Sequence, residues 1–146
     1  MIKERDTNIV YFSDRLVSDV RFKEAFNRIK YILNKHHINY RLLTNTKDIW
    51  CRDYMPIQVE QDKFVQFKYE PSYLEDDLGL QSTPRDVLQS NRLNAEFSNI
   101  NLDGGNVVKW DNKAILTERI FEENSLEKEA LTNQLREELN AYLHFI

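Results

Sequence analysis

Trp50-Cys51-Arg52-Asp53-Tyr54-Met55-Pro56 and Leu102-Asp103-Gly104-Gly105-Asn106-Val107 are the two stretches of this sequence whose residue types could do chemistry. Each is a polar interruption of strand-like sequence, and the two acids, Asp53 and Asp103, stand 50 positions apart. A carboxylate at a buried strand end is costly unless a cation or hydrogen-bond donors meet it. Together the motifs suggest a site for a positively charged, guanidinium-like group. Each charge-assisted hydrogen bond from such a group to Asp53 would contribute on the order of 1.5–3 kcal/mol. Trp50 could wall the site by cation–π attraction, adding about 0.5–2 kcal/mol. Gly104 and Gly105 are two of only three glycines in the chain. Their backbone freedom would let the loop approach a ligand closely and aim Asp103 and Asn106 inward.

Each motif also has a simpler explanation. Asp53 could pair with Arg52 or cap a turn. Asp103-Gly104-Gly105-Asn106 could be a hairpin or bulge in which glycine supplies positive φ. Trp50, at the end of a strand, could be ordinary core. Cys51 is the single cysteine; strand alternation would turn it away from Trp50 and Arg52, and no histidine is near it in sequence. It is therefore not taken as a nucleophile. It cannot form an intrachain disulfide, and a reducing cytoplasm is the expected compartment. His36 and His37 end a helical stretch, where the helix dipole favours them, and His144 has no evident partner. No metal-ligand spacing occurs, and no cofactor is expected.

The elements that must position these motifs fit one domain over residues 1–146, with 41% hydrophobic residues. A chain of this length buries roughly 68–70% of its unfolded surface. A net charge of −4 argues against a nucleic-acid partner. The absence of an apolar run of about 18 residues argues against a membrane span. The start, Met1-Ile2-Lys3-Glu4-Arg5-Asp6, lacks an apolar signal region.

Hydrophobic periodicity predicts a strand over 8–12, a helix over 18–36 capped by Ser18, and a strand over 38–43. A hairpin follows, 57–60 and 64–67, turning at Gln61-Asp62-Lys63. Pro84 opens a helix to about residue 93, and 97–102 is a strand. A second hairpin joins 107–110 to 114–117 across Asp111-Asn112-Lys113. A last helix runs over 125–142 with Ser125 as its cap and Leu126, Ala130, Leu131, Leu135, Leu139 and Tyr142 as its apolar stripe. Residues 143–146 read as a strand, and 70–82, with Glu75-Asp76-Asp77, as an irregular surface loop. Polar motif and hairpin both recur at an offset of about 50 residues, which predicts an internal repeat.

With both motifs in view, the sequence resembles the agmatine deiminase and bacterial-type peptidylarginine deiminase family of guanidino-group-modifying enzymes. The match rests on Trp50, Arg52, Asp53 and Pro56 (Trp-x-Arg-Asp, then Pro), on Asp103, Gly104, Gly105 and Asn106 (acid, then Gly-Gly-Asn), and on Ala114-Ile115-Leu116-Thr117-Glu118. The resemblance implies an α/β pentein propeller. This chain would supply its N-terminal portion: about two ββαβ-like blades and the start of a third. It also implies that Asp53 binds the substrate guanidinium, with Trp50, Arg52, Asp103 and Asn106 around it and Gly104, Gly105 and Pro56 shaping the loops. The substrate would be agmatine, on a route to putrescine, or peptidyl-arginine.

Agmatine deiminases commonly carry Glu at the position of Asp103, one methylene longer. The family's chemistry needs a His-x-Asp motif and a late nucleophilic cysteine. The thiolate attacks the guanidinium carbon, ammonia leaves, and the covalent intermediate is hydrolysed with histidine as acid and base. None of His36, His37 or His144 begins His-x-Asp. The expectation is therefore a binding half without turnover of its own, or a non-catalytic binding or assembly module derived from the deiminase fold. Self-association through exposed sheet edges is a further expectation.

Overall fold

A computed structural model describes residues 8–146, without the side chains of residues 75, 77 and 78. The expectation for Met1 to Asp6 lies outside the described residues. Among these residues the strands form three open sheets, each completed by a parallel strand. In the first, β1 (Ile9–Ser13) pairs in parallel with β2 (Asn39–Leu43), joined through α1 (Arg15–Ser18) and α2 (Val20–Lys35). In the second, β3 (Ile57–Glu60) and β4 (Lys63–Lys68) form an antiparallel hairpin, and β5 (Glu96–Asn101) lies parallel to β4 after α4 (Pro84–Asn91). In the third, β6 (Val107–Trp110) and β7 (Lys113–Leu116) form the hairpin, and β8 (Tyr142–Phe145) lies parallel to β7 after α5 (Arg119–Glu122) and α6 (Lys128–Leu139). The second and third sheets therefore share one strand order.

The short link α3 (Cys51–Tyr54) is a single helical turn between the first two sheets. A 3-10 turn, Gly104–Asn106, stands between the second and third. The stretch expected as an irregular loop contains 3-10 helical turns over Ser72–Leu80.

Helix boundaries differ from the sequence reading for local reasons. The cap of α2 is Asp19, whose carboxylate accepts the Arg21 N–H at 3.0 Å. Ser18 instead ends α1. Helix α4 stops at Asn91 because Arg92 turns left-handed, with φ 55°. Helix α6 starts at Lys128 without a side-chain cap and ends where Asn140 takes φ 48°. Only Leu131, Leu135 and Leu139 of its expected stripe are buried; Leu126 precedes the helix and is exposed. Tyr142 belongs to β8 and is exposed too.

Packing follows one rule. In the first sheet, Phe12 and Tyr40 make edge-to-face contacts with Phe26 of α2. Tyr11 and Leu43, on the opposite face, pack with Val87 of α4. In the second sheet, Phe97 lies under the Arg85 guanidinium of α4, 4.0 Å from ring centroid to carbon. Its other face, with Val59, Val65, Phe67 and Ile100, packs in one core with Leu131, Leu135 and Leu139 of α6. Each of these sheets thus carries its own helix on one face and the helix of the following unit on the other. That arrangement stacks the links between sheets, where the two polar motifs lie, against one another.

Candidate functional site

Trp50 was expected at a strand end, but β2 stops at Leu43 and a loop intervenes. Asp48 organises that loop. Its Oδ1 accepts the Trp50 backbone N–H at 2.7 Å, and its Oδ2 accepts the Ser82 hydroxyl at 2.6 Å and the Ser82 N–H at 3.1 Å. Ser82 is fully buried, so a partner for its hydroxyl is needed. The chain then coils once as α3, which places Asp53 and Arg52 on a helical turn rather than on a strand.

Arg52 ties the two motifs together. Its Nε donates to the Gly104 carbonyl at 3.1 Å, and its Nη2 donates to the Val107 carbonyl. Arg52, expected among the substrate-binding residues, has these two donors already engaged with the backbone. Gly104 lies so close to α3 that a Cβ there would stand 1.9 Å from the Arg52 carbonyl oxygen. A Cβ on Gly105 would stand 2.7 Å from Asp53 Oδ1 and 2.9 Å from Asp103 Oδ1. No glycine among the described residues has positive φ. Close approach, not unusual backbone torsion, is what these two positions require.

Asp53 and Asp103 therefore meet over Gly105. Asp103 caps the 3-10 turn: its Oδ1 accepts the Gly105 N–H at 2.6 Å, and its Oδ2 accepts the Tyr73 hydroxyl at 3.0 Å. Burial pushes the Asp53 carboxyl up to about 7. A hydrogen bond to Asp103 and the charges of Asp103 and Asp48 push the same way, and the Gly105 N–H opposes them. A half-buried carboxyl of this kind holds a proton near neutrality and loses it when a cation arrives. An arriving cation with N–H groups would supply what Asp53 is short of: positive charge and further donors.

Of the remaining predicted residues, only Asn106 shares a cleft with one of the two acids. Trp50 is 66% exposed, so the core explanation for it fails. Asn106 lines a small cleft with Tyr73, Asn101, Asp103, Arg119 and Glu123. Pro56 lines a separate, open trough together with Arg52, Gly104 and Lys109, and neither acid opens into it. Cys51 is buried with its Sγ 3.1 Å from the Tyr54 hydroxyl, and burial raises its thiol to about 11. It stays a thiol near neutral pH, and the reason is burial in α3 rather than strand alternation. Among the described residues, no cluster of three or more His, Cys, Asp or Glu could hold a metal ion, and no helix is long and apolar enough to cross a membrane.

The sequence model of the Porphyromonas-type peptidyl-arginine deiminases matches residues 6–145. The chain belongs to that family. The agmatine deiminase structure from C. jejuni superposes with a TM-score of 0.69 at 16% identity, covering 99% of this chain and 54% of that one. The Enterococcus faecalis agmatine deiminase structure gives a TM-score of 0.57 at 16% identity, with coverages of 94% and 49%. At such identity these likenesses show the mixed α/β fold. The chain spans about half the length of these deiminase structures. No curated protein matches the sequence.

Three residues that sequence reasoning missed complete the candidate site: Asp48, Tyr73 and Ser82. Asp48, five positions before Asp53, was the most accessible of them as another acid beside the first motif. Tyr73 reaches Asp103 from a segment 30 residues away, and Ser82 reaches Asp48 from 34 away.

Proposed function

We propose that this chain is the guanidinium-binding portion of a deiminase-family domain, with its three sheets as successive units of an α/β propeller. The observation that carries the proposal is the meeting of Asp53 and Asp103 over Gly105, with the Asp53 carboxyl raised to about 7 and able to ionise onto a cation. In this reading Asp53 accepts paired hydrogen bonds from the guanidinium of agmatine or of a peptidyl-arginine, and Trp50 walls the cation. Asp103, held by Tyr73 and the Gly105 N–H, sets the depth of the site. The sequence has one cysteine, buried as a thiol, and no His-x-Asp. The chain therefore binds without turning substrate over, and the thiolate and the acid–base histidine of the reaction would come from elsewhere.

A second reading is a binding or assembly module in its own right, favoured by an exposed apolar face on the third sheet. Calorimetric titration with agmatine and with an N-acylated arginine peptide, alongside an ammonia assay, tests the proposal. Saturable binding that Asp53→Asn abolishes, with no ammonia released, is expected. Catalytic ammonia release would overturn the claim of no turnover, and equal binding by Asp53→Asn would overturn the assigned site.

A further inference from the structure

Asp103 takes a hydrogen bond from a side chain that lies largely in solvent. The Tyr73 hydroxyl donates to Asp103 Oδ2 at 3.0 Å, yet Tyr73 is 53% exposed and stands in a 3-10 stretch. An exposed phenol keeps one aim only if its backbone and its ring are held. Both are held, and from the following structural unit. Arg119 opens α5 and Glu123 follows its last residue, so the two side chains, four positions apart, share one face. Glu123 Oε1 accepts the Ser72 hydroxyl at 2.8 Å and Arg119 Nε at 3.1 Å. Its Oε2 accepts the Ser72 backbone N–H at 3.2 Å. Arg119 Nη2 donates to Ser72 Oγ at 3.1 Å, and its guanidinium lies over the Tyr73 ring, 5.2 Å from the centroid.

The backbone leading into this turn is fixed as well. Asn101, the last residue of β5, accepts the Glu70 N–H at 2.8 Å and donates to the Glu70 carbonyl at 2.7 Å. Pro71 follows, its φ locked by the ring. Burial alone would push the Glu123 carboxyl up, but the Ser72 hydroxyl and N–H and the Arg119 guanidinium outweigh it and hold the group below its ordinary value. The clamp therefore keeps its charge over the range in which Asp53 titrates. Arg119, Glu123, Tyr73 and Asp103 line one small cleft, and the route from α5 to Asp103 runs through Ser72 and Tyr73.

We propose that Arg119 and Glu123 are positioning residues of the guanidinium site: by clamping the Ser72–Tyr73 turn they keep the Tyr73 hydroxyl on Asp103, where it supplies a donor that the acid pair needs in order to ionise onto a cation. The proposal rests on the reading of Asp53 and Asp103 as the cation's acceptors. A donor bonded to a carboxylate favours its charged form. Two carboxyls in contact titrate together, so a donor lost from Asp103 makes the last proton of the pair harder to remove. The signs separate positioning from bare charge. Removing the negative charge of Glu123 would by itself ease ionisation of the pair, whereas releasing Tyr73 hinders it. Asp48, Tyr69 and Arg52 also face the pair, and they stay as they are in the variants below.

Carbon-13 NMR of the aspartate carboxyls, followed against pH without ligand, tests this in wild type, Tyr73→Phe, Glu123→Gln and Arg119→Lys, and in the double variants that contain Tyr73→Phe. Circular dichroism confirms that each variant is folded. The wild-type Asp53 step is expected near 7. Tyr73→Phe keeps the ring and removes the donor, and it should raise the step by about half a pH unit. Arg119→Lys keeps the charge but loses the planar fork, and it and Glu123→Gln should each raise the step by less. In the Tyr73→Phe background neither should raise it further, because both act through that hydroxyl. An unchanged or lower step in any single variant, or a further rise in a double variant, overturns the proposal. Agmatine titration adds the functional counterpart. Half a pH unit lowers the ionised fraction at pH 7 about twofold, so Tyr73→Phe should bind about twofold more weakly there and match wild type at pH 9. A wild type that binds no agmatine overturns the guanidinium reading, and the ligand-free titration still decides the clamp.

Discussion

The two polar turns occupy equivalent places, each leading out of a parallel strand toward the next hairpin, yet they are built in opposite ways. The first reaches its acid through a seven-residue loop and a helical turn, and Asp53 there is half-buried with its carboxyl raised to about 7. The second reaches its acid one residue past Leu102, and Asp103 there caps its own turn with a 2.6 Å bond from Gly105 N–H. One acid has its donors supplied locally, and the other is left short of them. The proposed cation site rests on that asymmetry more than on the presence of two acids. The second turn supplies the rigid floor, and the first supplies the group that responds.

Breaking the floor should have the largest effect. In Gly104→Ala the added methyl meets a backbone carbonyl at 1.9 Å, which no side-chain rotation relieves. The loss of stability should be at least about 3 kcal/mol, because α3 and the 3-10 turn must move apart and the Arg52 bonds go with them. In Gly105→Ala the methyl meets the ends of two carboxylates, which can rotate, so the cost should be only about 1 kcal/mol. Urea denaturation of both variants checks the ranking. Equal costs would mean that the two turns are not pressed together as described.

Much of the scaffold was legible in the sequence, and the reasons are specific. Ile9–Ser13 is β-branched and aromatic, and the two hairpins alternate around short polar turns, so local pattern was enough. Pro84 marked its helix because its missing N–H costs nothing in a first turn. The errors came where a longer-range contact decides. Cys51–Tyr54 is too short to show a helical period, and the loop that launches it is held by Asp48 and the distant Ser82. Gly104 and Gly105 were recognisable as important, but their torsions gave no hint that the neighbouring turn occupies the space of a side chain. Trp50 could be read as core or as site wall from sequence, and only its exposure separates the two.

The responsive half of the comparison is tested by pH. The Asp53 carboxyl titrates near 7 in the folded chain and near 3.8 when unfolded. Between those values the folded state binds the extra proton, so this group's contribution to stability falls as pH rises through that window. Asp53→Asn keeps the shape of the protonated acid and removes the titration. The variant and wild type should melt at similar temperatures near pH 3.5. The variant should become progressively the more stable up to about pH 8. A constant difference across that range, measured by thermal melts in matched buffers, would mean that burial does not raise the Asp53 carboxyl. The same titration predicts that wild-type guanidino binding strengthens as pH rises through 7, since the ionised carboxylate is the acceptor.

The smallest effect separates Trp50 from both turns. Its ring is mostly in solvent, and the bond that holds the loop is made by its backbone N–H, which Trp50→Ala retains. Stability should therefore change by no more than about 0.5 kcal/mol. A ring that walls a bound cation contributes about 0.5–2 kcal/mol, so guanidino affinity should fall roughly two- to thirtyfold. An uncharged ligand of similar shape should lose far less, because the attraction depends on charge at the ring face. A drop in stability with unchanged affinity would return Trp50 to a purely structural role. The reverse pattern would make the exposed ring, like the short-handed Asp53 beside it, a feature retained for the ligand rather than for the fold.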